Sequence, residues 1–283
     1  MREFSGRVAV ITGAGSGMGR AFAERFAQEG MKVVLADVEQ GALDAAVQAL
    51  RSRQHEVTGV LTDVSKLESV EALAARAVET YGKVNLVCNN AGVDGYLDGP
   101  IWEATTKDWQ WTFGVNFWGA VHGVRTFLPL LLGQDEEGYV VNTASATGLV
   151  LANNMYGITK HAVLALSEVI YAQLRQQKAK VGISVLCPGV VNTRLFEGSR
   201  NRPAELRNER ESEGAAAGEE MRRQMRARLA EAIPPSEVAE ILVKAIRDEQ
   251  FYVTTDDKWD EGIRVRGENI LKRANPNLDI RHR

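Results

Sequence analysis

Tyr156 and Lys160 stand four residues apart in Met155-Tyr156-Gly157-Ile158-Thr159-Lys160, and Ser145 lies a short way upstream. On a helix that spacing puts both side chains on one face, about one turn apart. A phenol beside an ammonium can donate and accept protons. Tyrosine's ordinary pKa of about 10 is too high for efficient transfer near neutrality, and a nearby cation lowers it by favouring the phenolate. Ser145 can then hold an oxygen on which charge develops. The same pair also decorates ordinary amphipathic helices. Its meaning depends on what positions it.

The surrounding pattern alternates strands and helices. Arg7–Thr12, Lys32–Asp37, Val57–Thr62, Val84–Cys88, Tyr139–Thr143, Gly182–Cys187 and Phe251–Thr254 are short runs with strand character. Between them, helical spacing covers Arg20–Gln28, Ala42–Arg53, Ser65–Tyr81, about Trp109 to Leu132, Met155–Gln177 and Ser236–Arg247. Gly30 is expected to stop the first helix, and Ser65 and Gly82 to cap the third. Such alternation predicts an α/β fold, a doubly wound parallel sheet of about seven strands with helices on both faces. All 283 residues read as one domain. The aromatic residues Trp109, Trp111, Phe113, Phe117 and Trp118 are assigned to core or subunit contact.

Between the first strand and first helix runs Gly13-Ala14-Gly15-Ser16-Gly17-Met18-Gly19. Glycine lets the backbone approach a pyrophosphate, which the helix N-terminus attracts through free N–H groups. The spacing Gly13-x-x-x-Gly17-x-Gly19 is not the common Gly-x-Gly-x-x-Gly. Strand-turn-helix context and the acid Asp37 at the next strand end strengthen it. A carboxylate there binds adenosine ribose hydroxyls and repels a 2′-phosphate. Neither Ser16 nor Val38 brings positive charge, so NAD is expected over NADP. Asp63 ends the third strand, where it can meet an adenine amino group or turn the chain.

Composition narrows the classes. A net charge of −3 gives no footprint for nucleic acid. No apolar run approaches the roughly 20 residues that span a bilayer. No signal-peptide pattern precedes the first strand, and a cytoplasmic setting is expected. Cys88 and Cys187 end apolar runs and read as buried thiols; His55, His122, His161 and His282 show no metal-ligand spacing. Residues 194–235 are dense in Arg and Glu, among them Arg200, Arg202, Arg210, Glu211 and Glu213, with Ala215-Ala216-Ala217-Gly218 as an interruption before a helical Glu219–Ala232. A solvated segment and a lid over a site both fit; its place after the sixth strand favours a lid. Residues 256–283, with Asp279, Arg281 and Arg283, read as a surface tail or oligomer contact.

These motifs, in this order, resemble the short-chain dehydrogenase/reductase family from about Val8 to Thr193. The resemblance rests on Thr12-Gly13-x-x-x-Gly17-x-Gly19, Asp63-Val64, Asn89-Asn90-Ala91-Gly92, Asn116, Ser145, Tyr156-x-x-x-Lys160 and Pro188-Gly189. It implies a Rossmann-type fold in which Asn90, Ala91 and Gly92 line the cofactor cleft. It implies that Tyr156 is the general acid/base, that Ser145 positions the substrate oxygen, and that Lys160 binds the nicotinamide ribose. Asn116 would support a proton relay to Lys160, and Val191 and Thr193 would contact the carboxamide end of the nicotinamide. It also implies a homotetramer or homodimer. Asp94, Tyr96, Ala146, Thr147, Asn153, Asn154 and the segment after Thr193 are the expected substrate walls.

One interval departs from the family. Counting back from Tyr156 by the usual distance lands on Thr143; Asn142-Thr143-Ala144-Ser145 after the strand favours Ser145. The expected reaction is reversible hydride transfer between NAD and a secondary alcohol or ketone. The other readings are a cofactor-binding regulatory or scaffold protein, and an epimerase or dehydratase that uses bound NAD.

Overall fold

The computed structural model describes residues 1–209 and 214–276. Arg210, Glu211 and Glu213 of the charged segment, and Asp279, Arg281, His282 and Arg283 of the tail, lie outside the described residues. The strands are β1 (Val8–Thr12), β2 (Lys32–Asp37), β3 (Val57–Leu61), β4 (Leu86–Asn89), β5 (Gly138–Thr143), β6 (Val181–Cys187) and β7 (Tyr252–Thr254). They form one seven-stranded sheet in the order β3-β2-β1-β4-β5-β6-β7, with every neighbouring pair parallel. This is the doubly wound arrangement that the alternation predicts.

Parallel neighbours need crossovers, and helices supply them. On one face, Phe22 and Phe26 of α1 (Gly17–Gln28) and Leu242 and Ile246 of α8 (Pro235–Arg247) pack under Ile11 and Leu35. On the other, Leu73 of α3 (Leu67–Tyr81), Leu131 of α5 (Gly119–Gly133) and Ile170 of α6 (Met155–Gln176) pack under Val10, Val34 and Val140. β1, β4 and β5 are buried along their whole lengths, as strands covered on both faces must be. The remaining helices are α2 (Gln40–Arg51), α4 (Thr106–Phe113), α7 (Ala215–Ala230) and α9 (Asp260–Lys272).

Several boundaries differ from expectation for physical reasons. The first helix begins at Gly17, inside the glycine turn, rather than at Arg20. Ser65 is not a helix cap: α3 starts at Leu67 after Lys66, and the Ser65 hydroxyl donates to Asp63 Oδ1 at 2.6 Å. Gly82 does end α3, in the left-handed region at φ +79°. The helix expected near 109–132 starts earlier, at a capping box between Thr105 and Asp108. It is also interrupted by a π-turn over Gly114–Trp118. The helix expected over Glu219–Ala232 starts earlier, its first turn being the Ala-rich stretch 215–218 that interrupts the charged run, and it ends at Ala230. The tail is helical over α9, which the polar composition did not suggest.

The chain order reverses at β1: β2 and β3 lie to one side, β4 to β7 to the other. Ligands of doubly wound sheets bind in the crevice that opens there, beyond the carboxyl ends of the strands. In this molecule those ends belong to β1 and β4. Cys88, on β4, and Cys187, on β6, are fully buried, and burial raises both thiols, Cys187 to about 12. A thiol held protonated and shielded does not attack disulfides. The folded protein should therefore leave Ellman's reagent unconsumed, and unfolding in guanidinium should release both thiols. Rapid reaction of either cysteine in the native state would contradict this packing.

Candidate active site

The crevice is built from the end of β1. Thr12 Oγ1 accepts from the backbone N–H groups of Asn90 (2.9 Å) and Ala91 (3.1 Å), and the Asn90 side chain donates to the Thr12 carbonyl (3.0 Å). These bonds join the loop after β4 to the glycine turn. Gly13 sits at φ +66°, and a Cβ there would come within 3.0 Å of Ala91 Cα. A Cβ on Gly19 would collide with the Gly13 carbonyl oxygen. Only glycine fits at both places. The N-cap Ser16 makes no side-chain cap and the first turn of α1 holds no acid. The backbone N–H groups there are thus a ready anion site.

Gly13, Ser16, Gly17 and Met18 line one end of a cleft of about 340 Å³; Asp37, Asp63, Val64, Asn90, Ala91, Gly92, Tyr156, Lys160 and Thr193 line it with them. Asp37 is oriented by two backbone donors, Gly15 N–H to Oδ2 (2.8 Å) and Glu39 N–H to Oδ1 (2.9 Å). Its carboxylate retains acceptor capacity for hydroxyl groups. Asp63 plays the turn role: Oδ1 accepts from the Ser65 N–H and hydroxyl, and its own N–H donates to Ser69. The Val64 carbonyl accepts from His122 Nδ1 (2.9 Å). Pro188, Gly189 and Val191 do not line the cleft. The Pro188 carbonyl accepts from Ala146 N–H, Gly189 N–H donates to Thr255, and Val191 is buried in a bridge to Ile233. They shape the wall from behind.

At the other end, the first two turns of α6 present Tyr156 and Lys160. Asn154 caps this helix by accepting from Gly157 N–H (2.8 Å). Asn154 therefore acts as a cap rather than as a wall of this cleft, and Ala146, Thr147 and Asn153 do not line it either. The Ser145 side chain lies close enough to the Tyr156 phenol to favour its charged form, although Ser145, like Asn116 and Gly19, does not itself line the cleft. Thr143, the alternative partner, instead offers its backbone carbonyl to Lys160 Nζ at 2.8 Å. The short interval is closed by a single 3₁₀ turn, Ala146–Gly148, entered through Ser145 Oγ accepting from Thr147 N–H. Gly148 lies against the Lys160 backbone, where a Cβ would approach the carbonyl oxygen to 2.9 Å.

Charge behaves differently from the simplest expectation. Burial pushes the Tyr156 phenol up to about 12, and the Ser145 side chain is the opposing cause. Lys160 is itself buried, which lowers it to about 8. Its ammonium stands 5.4 Å from the centre of the Tyr156 ring and points to Thr143. Desolvation is thus the largest cause acting on the phenol, and the ammonium is directed at Thr143 rather than at the phenol oxygen. Asn116 occupies the π-turn. Its Oδ1 accepts from Val93 N–H (2.8 Å) and its Nδ2 donates to the Val93 carbonyl (2.9 Å) and Thr159 Oγ1 (3.2 Å). The extra residue of the π-turn brings this amide to the loop after β4, a distortion frequent at functional sites. A Cβ on Gly92 would lie 3.4 Å from Asn116 Oδ1 and 3.6 Å from Lys160 Nζ, so the three residues converge.

The segment after Thr193 lines the crevice through Arg194, Leu195, Gly198, Arg200 and Asn201. Its 3₁₀ turn, Leu195–Asn201, is buried at Gly198 against Val93 and Asp94. Arg222 of α7 reaches Asp94 Oδ2 (3.1 Å) and Asp98 Oδ1 (3.0 Å). Arg202 pairs with Asp108 (2.7 Å) and lies over the Trp111 ring. Burial pushes Asp94 up to about 6, against the lowering influence of Arg222. Burial also raises Glu39, but Arg200 and Asn201 outweigh it and hold the carboxyl below its ordinary value. Glu39, Trp111, Gly114, Arg200 and Asn201 line the cleft without having been singled out for it from sequence. Glu39's place two residues past Asp37 was the one available signal. Arg200 is also a cation in the same cleft as Asp37, paired with Glu39, that the immediate neighbours Ser16 and Val38 did not reveal.

Among the described residues no group of His, Cys, Asp and Glu is disposed to hold a metal, and no helix is long and apolar enough to cross a membrane. The family model for short chain dehydrogenases matches residues 7–204. A CLA biosynthesis dehydrogenase/reductase from Lactiplantibacillus plantarum is 30% identical over 286 aligned residues, covering 99% of this chain and 98% of that one. A 1-deoxy-11-beta-hydroxypentalenate dehydrogenase from Streptomyces exfoliatus is 40% identical over 194 residues, 68% of this chain and 70% of its own. A crystal structure of a short chain dehydrogenase/reductase from Burkholderia phymatum in complex with NAD superposes with a TM-score of 0.94 at 45% identity, covering 99% of this chain and 100% of that one. With a parallel sheet, a glycine turn and a Ser-Tyr-Lys constellation at its switch point, the chain belongs to the short-chain dehydrogenase/reductase family of oxidoreductases.

Proposed function

We propose that this protein is an NAD-dependent dehydrogenase that interconverts a secondary alcohol and its ketone, with Tyr156 as general acid/base. One observation carries the reading. Tyr156 and Lys160 stand in the same crevice as an uncapped helix N-terminus and Asp37, with the Ser145 side chain acting on the Tyr156 phenol from just behind the cleft wall. The B. phymatum relative's complex with NAD supports the same choice of cofactor. Gly13, Ser16, Gly17, Met18 and Gly19 would hold the pyrophosphate, Asp37 the adenosine ribose, and Lys160 the second ribose, with Asp63, Val64, Asn90, Ala91, Gly92 and Thr193 along the walls. Pro188, Gly189 and Val191 support that wall from outside the cleft. A bound nicotinamide supplies the hydride acceptor or donor and, when oxidised, a positive charge that favours the phenolate.

In oxidation the Tyr156 phenolate oxygen takes the hydroxyl proton as the carbinol carbon loses hydride. Ser145 donates to the same oxygen while it becomes a carbonyl. In reduction the phenol returns the proton, and the two preplaced hydroxyls stabilise developing negative charge. Asn116 and Lys160, converging on Gly92, are the route by which the proton leaves. The described residues of 194–235, namely 194–209 and 214–235, act as a lid fastened by Arg202 and Arg222. The protein acts on a small molecule, in the cytoplasm and as a dimer or tetramer.

Tyr156→Phe should lower turnover by about 10²–10⁴-fold, the usual weight of positioned acid–base catalysis. NADH should still bind it, as read by fluorescence titration. Substantial alcohol oxidation by that variant would remove Tyr156 from its role. Fluorescence titration of the unmodified protein should show tighter binding of NADH than of NADPH; the reverse order would overturn the part given to Asp37. A raised carboxyl pKa gives the lid a pH signature. Between its ordinary value of 3.8 and about 6, folded Asp94 keeps a proton that the unfolded chain has lost, so this group's contribution to stability falls as pH rises through that window. Carbon-13 NMR of Asp94 should show a midpoint near 6, moving higher in Arg222→Met. A midpoint at or below 3.8 would contradict the burial of this carboxylate.

A further inference from the structure

Glu39 lies on the β2 side of the crevice, two residues beyond Asp37, and receives a contact that bridges the cleft. Arg200 Nε donates to Glu39 Oε1 at 2.9 Å, Arg200 Nη2 reaches the same oxygen at 2.6 Å, and Asn201 Nδ2 donates to it at 2.8 Å. Arg200 Nη1 is meanwhile fixed by the Glu197 carbonyl (2.7 Å). The donors come from the segment that leaves Thr193 beside Gly17 and rests at Gly198 on Val93 and Asp94, on the β4 side. Asp37, Glu39, Thr193, Arg200 and Asn201 all line the same cleft. The segment therefore spans the crevice, and Glu39 is its far anchor.

We propose that Glu39 is a cofactor-retaining residue: by anchoring Arg200 and Asn201 it straps residues 194–201 across the bound dinucleotide and slows its release. The inference rests on the reading of the crevice as a dinucleotide site and goes beyond it. The glycine turn and Asp37 provide contact with the ligand, whereas the strap provides enclosure. Its two anchoring donors sit on one carboxylate oxygen with side chains only about a quarter exposed for both Glu39 (25%) and Arg200 (28%), so water competes less than at an open surface pair. Loss of either end frees the strap. Contacts that hold a closed complex act chiefly on the dissociation rate. The Arg202 and Arg222 fasteners hold the β4 side and do not replace this one.

Stopped-flow displacement of NADH is the test, on the full-length protein and on Glu39→Ala, Arg200→Ala and the double variant, with circular dichroism to establish that each is folded. Each single variant should release NADH about 5–50-fold faster with the association rate little changed. The double variant should be no faster than Glu39→Ala alone, because that substitution already removes both the Arg200 and the Asn201 bonds. Release within about twofold of wild type in both folded single variants, or rate increases that multiply in the double variant, would overturn the strap while leaving the dinucleotide site intact. Absence of NADH binding to the wild-type protein would overturn the dinucleotide site, and the strap with it.

Discussion

The hydroxyl of Thr12 is the tie on which the site depends. By accepting from the amides of Asn90 and Ala91 it holds the end of β1 to the loop after β4, where the strand order reverses. Gly13 and Gly19 permit the approach that this tie demands. From one side of it, α1 presents its uncapped N-terminus. From the other, Gly92 and Val93 meet Asn116, and Asn116 meets Thr159, one residue before Lys160. A shift of either strand end would separate the glycine turn from the Ser145–Tyr156 pair. Phosphate recognition and proton transfer are thus two consequences of one local constraint.

The electrostatics of the pair follow from burial. Tyr156 stays a phenol and Lys160 is easier to deprotonate than an exposed lysine, because both are withdrawn from water. The polypeptide by itself does not create a phenolate near neutrality. It positions an acid of high pKa beside a serine, within a cleft where positive charge on a ligand has a large effect. Such a site can serve either direction of a redox reaction according to the charge of what occupies it.

Much of this was legible in the sequence, and the exceptions share a cause. Parallel strands buried on both faces leave continuous apolar runs, so the central strands β1, β4 and β5 could be read directly, and the β-branched runs of the edge strands β3 and β7 extended the pattern. Tyr156 and Lys160 were legible because their spacing is local to one helix. The π-turn was not, because Asn116 is drawn by the backbone of Val93, whose partnership no local periodicity records. The Ser65 cap failed because its hydroxyl finds Asp63 instead. Arg200 and Glu39 are 161 positions apart, and Arg222 and Asp94 are 128 apart. Composition marked the charged segment as unusual without saying which acids its arginines would meet. The Ala-rich stretch 215–218 read as an interruption before the helix because small residues carry little helical pattern, although alanine itself favours helix.

The central claim is that one crevice binds a nicotinamide dinucleotide and presents its reactive end to Tyr156. A crystal structure of the protein with NADH tests it most directly. The account predicts the pyrophosphate against the N-terminus of α1, the adenosine ribose hydrogen-bonded to Asp37, and the nicotinamide ring beside the Tyr156 hydroxyl with its ribose on Lys160. A dinucleotide bound elsewhere, or one lying in the crevice with its nicotinamide away from Tyr156, would contradict it.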